Sequence, residues 1–422
     1  MPIAGLKTGP DYLSPINDTI YCPTAIGGET ITDALTESYK IINTARNLEG
    51  QGDVIVKNGA RYHFNLPEST QSWKVNDLDD NNPSTFISNT EYKSDIGERA
   101  LQIEFNDLST GLSSECYVDT FFPEDLTKLD GLARERFFHY DFISCPIVYS
   151  GQKIKTQLIS NSNKDITVNL FIKYWGENDK LIKINSDDFF FQNKESKDIE
   201  WDVPDTGSNP IAQIGISISS SEKSSGKLLV NYLDISGEPK ITFKKPEHIA
   251  SPKRGVSHDD TPFYGHMWKN NFVQAIDKWE SRWKESFRIT QNIGRGVVFT
   301  GNDKWKNYSV SSKLNFHLVK SGGVIARVQG LKRYYALEVT AENKLRIAKM
   351  YYELETLKEV DFNFEFFTDY NLTLQVDNNN IKGYLDGKLI IEADDTNNPL
   401  AFGGAGIVAE DGTMCTEEIS IS

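Results

Sequence analysis

From residue 305 to residue 408 the chain repeats one pattern, short runs in which apolar and polar side chains alternate, each closed by a turn. The runs are WKNYSVSSKLNFHL, GGVIARVQG, RYYALEVT, KLRIAKMYY, YNLTLQV, IKGYLDGKLIIEA and GGAGIVAED, with SGG, GLK, ENK, DNNN and LDGK supplying turn chemistry. Alternation sends successive side chains to opposite faces of a strand. Tyr335, Leu337 and Val339 therefore oppose Tyr334, Ala336 and Glu338, and Leu372, Leu374 and Val376 oppose Thr373, Gln375 and Asp377. Many short strands at this spacing predict an antiparallel sandwich or barrel. The Asp386-Gly387 pair suits the two positive-φ positions of a tight hairpin turn, which pairs residues 381–385 with 389–391.

A second β region spans residues 51–246. RYHFNLP, RALQIEFN, ECYVDTFF, CPIVYSGQKIKTQLISN, DITVNLFIKYW, DFFFQ, KDIEWDVP, IAQIGISIS and KLLVNYLDISG read as strands, punctuated by NSNKD, GEND, DTGSNP and SEKSSG. Before it, Ile31, Ala34, Leu35, Ser38, Ile41, Ile42, Ala45 and Leu48 recur at helical spacing and predict a helix over 31–48, capped by Thr30 or Thr32. One amphipathic helix cannot bury its own stripe, so residues 1–50 read as a docking segment for a partner domain or chain. Residues 247–267, rich in Pro, Gly and charge, read as a linker. Beyond it the spacing of Trp268, Phe272, Ile276, Trp279, Trp283 and Phe287 predicts either a helix packed on the last sandwich or short irregular pieces leading into it.

The 422 residues are enough for two to four domains, and 38% hydrophobic with 11% aromatic content is that of a globular β protein. A net charge of -15 and the lack of any Lys/Arg-rich run exclude a nucleic-acid partner. The first residues carry neither a basic nor an apolar signal segment, and no stretch approaches the roughly 18 apolar residues of a membrane helix. Those features predict a cytoplasmic protein with no membrane partner. Cys22, Cys116, Cys145 and Cys415 form no CxxC pair and read as reduced, buried thiols.

Candidate chemistry centres on the last sandwich. Arg327 alternates away from Val324, Ala326 and Val328 and lies near Arg333, Tyr334 and Tyr335 in sequence; neighbouring strands bring Trp305, Lys349 and Asp386 toward the same face. Rings that stack on sugar C–H groups beside guanidinium forks that bond hydroxyls make a carbohydrate platform; Arg packed over Tyr is also an ordinary sheet contact. Hydrolysis needs two carboxylates flanking a glycosidic bond. Glu338, Asp377 and Asp386 are available, but alternation does not bring Glu338 and Asp377 together. No GxSxG, HExxH or P-loop occurs, and the GGAG at 403–406 leads into a strand, which lacks the geometry of a phosphate cradle. His248, His258 and His266, beside Asp259 and Asp260, match no metal-site spacing and read as solvated linker residues.

The order WKNYSV, ARVQG, RYYAL, GYLDGK and GGAGIV resembles the concanavalin-like, laminin G-like sandwich, and within it the 3-keto-disaccharide hydrolase-like proteins. This resemblance covers the last third of the chain and implies glycan binding or glycan cleavage. The order ALQIEFN, VNLFIKYW, IEWDVP, IGISIS and LLVNYLDISGEP resembles the jelly roll of carbohydrate-binding modules over residues 100–239. Such modules hold a structural calcium through carboxylates and carbonyls, which nominates Glu104, Asp107 and Asp234 as its ligands. YLSPINDTIYCPTAIGGETITDALTESYKIINTAR resembles the closing segment of the helical domain of ADP-ribosylglycohydrolases, with Pro15, Asn17, Asp18 and Thr19 in the loop before the last helix. The acidic body that holds that family's two magnesium ions has no counterpart here, so the resemblance implies the non-catalytic C-terminal part of an ADP-ribosylglycohydrolase-like protein, with the two sandwiches as its ancillary binding modules. Together these features predict a mainly β protein: a helical segment at 1–50, a jelly roll at 51–246, a linker, and a concanavalin-like sandwich at 268–422. The predicted role is binding of a carbohydrate or glycoconjugate, with glycoside cleavage by the last sandwich and a purely structural spacer as alternatives.

Overall fold

The computed structural model describes residues 62–75, 84–121, 145–176, 180–246, 267–280 and 284–422. The predicted helix over 31–48, the loop resembling that of the glycohydrolases, and the three histidines of residues 247–266 lie outside them.

The first sandwich comprises β1 (Lys74–Val75), β2 (Ser84–Glu91), β3 (Arg99–Leu108), β4 (Ser113–Asp119), β5 (Lys153–Ser162), β6 (Ile166–Trp175), β7 (Leu181–Asn185), β8 (Phe189–Phe191), β9 (Ser196–Asp202), β10 (Ile211–Ser219) and β11 (Ser224–Ser236). One sheet runs β2-β3-β11-β5-β9; the other runs β1-β4-β10-β6-β7, with β8 beside β6. Alternation decides which side chains meet between them. Ile166, Val168, Leu170 and Ile172 of β6 and Ile214, Ile216 and Ile218 of β10 share a core with Ile103, Phe105, Leu228, Val230 and Leu233. Each such side chain contributes about 1.5–3 kcal/mol when buried. A register shift between Val230 and Tyr232 lets Leu233 and Ile235 keep facing inward. RYHFNLP, predicted as a strand, contributes only an isolated bridge from Tyr62 to Leu233.

The second sandwich comprises β12 (Ile241–Phe243), β13 (Val273–Ala275), β14 (Lys278–Glu280), β15 (Phe287–Thr300), β16 (Tyr308–Leu318), β17 (Ser321–Val328), β18 (Arg333–Thr340), β19 (Lys344–Tyr351), β20 (Glu353–Asp361), β21 (Asp369–Asp377), β22 (Asn380–Leu385), β23 (Lys388–Asp394), β24 (Gly404–Thr416) and β25 (Ile419–Ile421). The long strands β15 and β24 pair along their lengths with a register shift between Gln291 and Arg295, and so serve both layers. The front layer orders β20-β19-β18-β17-β24, with β15 and β13 beyond; in the back layer β16 joins the far half of β24 to β21, β22 and β23. Val324, Leu337, Val339 and Ile347 of the front meet Val310, Phe316, Leu372 and Leu374 of the back. The predicted hairpin is present: Leu385 pairs Lys388, with Asp386 at φ 50° and Gly387 at φ 77°.

The aromatic spacing over 268–287 belongs to short pieces. A 3-10 turn at Lys269–Asn271 precedes β13 and β14, both of which pair β15. Trp268, Phe272, Trp279 and Phe287 pack together in the core, Trp279 stacked on Phe287 at 5.2 Å. The boundary predicted at residue 246 also moves. β12 pairs β25, so the strand that follows the jelly roll belongs to the second sandwich. Around it the two units join through buried polar groups: Tyr149 Oη lies 2.9 Å from Thr300 Oγ1, and Asn302 Nδ2 donates to Ile147 O at 2.8 Å. Met267 packs on Phe121, Trp175 and Ala212 of the first sandwich.

Candidate functional site

The predicted platform is not a surface. Trp305, Arg327, Tyr334 and Tyr335 are among the largest fully buried side chains, and Lys349 is buried beside them. The cause at Arg327 is a break in alternation: β17 shifts register between Ile325 and Val328, and Arg327 takes φ 48°, so its side chain turns in at the end of the sandwich. There it donates to the carbonyls of Lys306 (2.9 Å), Leu400 (2.6 Å) and Asn378 and to Asn307 Oδ1 (3.1 Å). Tyr335 donates to Asp395 Oδ2 at 2.6 Å, and Lys349 reaches the same carboxylate at 2.7 Å and the carbonyls of Asn397 and Asn398. These three residues brace the segment 395–400 rather than face solvent. Trp305 packs on Tyr149 at 4.9 Å in the joint between the sandwiches. Tyr334 lies on the other face of the front layer, and Asp386 sits exposed in its hairpin turn.

The nominated calcium ligands are not brought together either. Glu104 stands opposite Lys227 and lies 3.5 Å from its ammonium; Asp107 pairs Lys223 at 3.2 Å; Asp234 pairs Lys304 at 3.6 Å. Lys227 and Asp234 are seven positions apart on β11, roughly 23 Å at the rise of a strand. Among the described residues no three His, Cys, Asp or Glu side chains converge on a metal position.

On the outer face of the front layer, register assembles a charged cluster that sequence alternation only partly showed. Glu338, fully buried, accepts from Arg295 and, at 2.8 Å, from Arg346. Glu410 accepts from Arg295 at 2.8 Å, from Lys320 at 2.5 Å and from Ser321 at 3.0 Å. Burial alone would raise Glu338, but the two guanidiniums outweigh it and hold its carboxyl below the ordinary value; burial is likewise overcome at Glu410 by Lys320, Ser321 and Arg295. Carboxyls held ionised in this way are poorly suited to donate a proton to a leaving group. Asp377 and Asp386, the other carboxylates considered for hydrolysis, lie on the back layer at the ends of β21 and of the β22–β23 hairpin.

Among the described residues, exposed aromatic side chains include Phe86 and Phe190 on the first sandwich and, most exposed, Phe367 on the back layer of the second. In the connection FNFEFFTD between β20 and β21, Phe364 turns into the core against Phe316, while Phe367 is 73% exposed. Phe367 has φ 60°, and its N–H donates to Phe316 O at 2.8 Å. Its ring lies nearly parallel to His317, 5.7 Å between centroids, and Leu318 next to it is 67% exposed. A left-handed backbone costs a side-chain-bearing residue about 1–2 kcal/mol, and an exposed phenyl forgoes roughly 1.5–3 kcal/mol of burial. Both costs fall on one residue.

Hydrogen-bonding groups flank this ring. Asn315, on the outward face of β16, donates to Asp369 at 2.7 Å, and Lys313 reaches Asp369 at 2.8 Å. Burial and the nearby Arg288 hold the His317 imidazole below its ordinary value, so it is neutral at neutral pH. Cys415 Sγ sits 3.5 Å from His317 Nε2, and burial pushes that thiol up to about 11, keeping it protonated. Alternation holds over Phe362 and Phe364, which pack on the core, and ends at the FF pair, where Phe366 and Phe367 are both exposed. A shallow depression beside β12, bordered by Asp205, Lys240, Thr242, Lys245 and Ser420, contains no aromatic side chain.

No family model matches the chain, and no curated protein matches it. Among solved structures, the carbohydrate binding module CBM66 from Bacillus subtilis is similar at 16% identity, covering 36% of this chain and 94% of that one with a TM-score of 0.33. The CBM22-1 xylan-binding domain of Xyn10C from Paenibacillus barcinonensis is 10% identical, covering 41% of this chain and 90% of that one, TM-score 0.26. The Caenorhabditis elegans galectin LEC-6 is 9% identical, covering 40% of this chain and 99% of that one, TM-score 0.25.

Proposed function

We propose that the protein binds carbohydrate without cleaving it, seating the apolar face of a sugar ring on Phe367. The observation that supports this reading is the Phe367–His317 stack: an exposed, backbone-strained ring backed by a neutral imidazole, with amide, carboxylate and ammonium groups around its edge. A ring face suits the C–H groups of a pyranose, while Asn315, Asp369 and Lys313 offer both donors and acceptors to its hydroxyls. The back layer is open and rigid there, because Phe316 and Phe364 anchor the strand and loop beneath. Against cleavage stands the chemistry of Glu338 and Glu410, whose charges are already neutralised by Arg295, Arg346 and Lys320.

The test is retention of the intact chain on a panel of immobilised oligosaccharides, repeated with Phe367→Ala. Binding of at least one glycan by the wild type, weakened tenfold or more by Phe367→Ala with the melting temperature within a few degrees, supports the platform. Binding that survives Phe367→Ala removes it, and release of shortened products from the bound glycan overturns the non-catalytic reading.

A further inference from the structure

Crossings between the front and back layers gather at one end of the second sandwich. Register places Arg295, Glu410, Ser321, Thr340, Lys344 and Asp361 in the last row of the front layer there. From that row the chain reaches the back layer by three routes: between β16 and β17, between β20 and β21, and along β15 and β24, which bend over together. Each route carries a strongly exposed apolar side chain, Leu318 at 67%, Phe367 at 73% and Ile293 at 84%. Single exposed apolar residues are ordinary on any surface, but three on one rim mark a place of contact.

Two bulges hold Leu318 and Ile293 out. β16 shifts register against β24 between Phe316 and Leu318, so His317 and Leu318 both leave the core and Val319 takes the inward place. Glycine at position 412 permits this close approach, since a Cβ there would strike the Leu318 carbonyl. On the other side of β24, β15 bulges between Gln291 and Arg295. Asp411 accepts from the Gly294 N–H at 2.6 Å, Asp277 accepts from the Asn292 N–H at 2.8 Å, and Gln291 Nε2 donates to Ile293 O at 2.8 Å. The backbone on both sides of Ile293 is thus fixed while its side chain points into water. Leu318 and Ile293 flank β24 two strand spacings apart, roughly 10 Å.

Leu318 follows His317, whose ring backs Phe367, so the apolar rim begins where the aromatic platform ends. The charges at this end are paired or acidic: Lys320 binds Glu410 at 2.5 Å, Lys313 binds Asp369 at 2.8 Å, and Glu342 and Glu365 are exposed. A neutral apolar group suits that setting, whereas an anionic lipid surface does not.

We propose that the sugar seated on Phe367 carries an apolar aglycone, an alkyl chain that lies over Leu318 and Ile293, so that the ligand is an amphipathic glycoside. The proposal rests on the Phe367 platform and adds a contact that a bare sugar does not need. Covering the two side chains recovers burial that the bulges forgo.

The experiment compares the methyl and n-hexyl β-glycosides of glucose, galactose and N-acetylglucosamine, below micelle-forming concentrations, by calorimetric titration of the intact chain. Wild type is expected to bind the hexyl member of a pair about tenfold more tightly, a gain set by partial burial of the added methylenes on an open edge. Leu318→Ser and Ile293→Ser are expected to cut that gain to about threefold or less and to leave the methyl member unchanged, while Phe367→Ala weakens both members. Both serine variants are expected to melt within a few degrees of wild type, because the side chains they replace are exposed. A larger fall shows that these side chains pack on the protein and overturns the proposal. Equal binding of hexyl and methyl members, with oligosaccharide retention still dependent on Phe367, overturns the aglycone and leaves the platform standing. A hexyl gain unchanged in both serine variants puts the chain elsewhere and overturns the assignment to this rim. Hexyl glycosides that bind Phe367→Ala as tightly as wild type, or 1-hexanol that binds as tightly as they do, reveal an apolar site with no sugar in it and overturn the proposal.

Discussion

Arg327→Ala separates a buried brace from a surface side chain. The guanidinium serves four acceptors: the carbonyls of Lys306, Leu400 and Asn378 and the side chain of Asn307. A hydrogen bond to a charged group contributes about 1.5–3 kcal/mol, and a buried acceptor left alone costs about 1–3 kcal/mol. The four bonds share one side chain, so their losses do not add in full. A destabilisation of about 4 kcal/mol is expected, against about 0.5 kcal/mol or less for an exposed arginine. Urea unfolding followed by tryptophan fluorescence reads the difference directly: at a slope of about 1–3 kcal/mol per molar urea, the midpoint falls by more than about 1 M. Arg327→Met, which restores apolar volume but no donor, is expected to recover only part of it. A midpoint within about 0.2 M of wild type for Arg327→Ala refutes the brace.

Glu338 has a folded-state value depressed below its unfolded one, so its stabilisation is present above the unfolded value of 4.5 and is lost as pH falls through the folded value. Stability of the wild type is expected to fall below about pH 5, and Glu338→Gln, already weaker at pH 7, to show a flatter acid limb in the same urea titrations. Asn302 bonds Ile147 and Gln152 across the joint between the sandwiches. With it intact, calorimetry is expected to show one unfolding transition, and Asn302→Ala to split or broaden it; two separate transitions in the wild type refute tight coupling.

How much of this was legible in the sequence depended on whether local geometry kept the period. The Asp386-Gly387 hairpin was readable because only a few residues tolerate two consecutive left-handed positions. Many strands of both sandwiches followed from alternation, but β2, β7, β12, β15, β20 and β25 were not among the predicted runs. Arg327 was misplaced because a one-residue shift in β17 reverses every face assignment beyond it, and nothing in VIARVQG marks that shift. Glu338 was correctly placed opposite Leu337, but its partners Arg295 and Arg346 lie on β15 and β19, and pairing across β24 and β17 is not written in local pattern. Phe367 was not singled out from the sequence, because a phenylalanine in an aromatic-rich connection is buried by default. The aromatic run over 268–287 carried helical spacing by coincidence of two short strands folded against β15.

The pairing of β12 with β25 also orders events in time. Thr242 and Ser420 face each other across a gap of 178 positions. During synthesis the eleven strands of the first sandwich emerge and can pair early, while Ile241 and Phe243 wait for a partner that the ribosome has yet to make. Until then the joint presents bare apolar side chains and an unpaired edge, the features that invite capture by a neighbouring chain. Slow translation through the second sandwich therefore lengthens the protein's most vulnerable interval, and closing the seam between the two units belongs to the last steps of its folding.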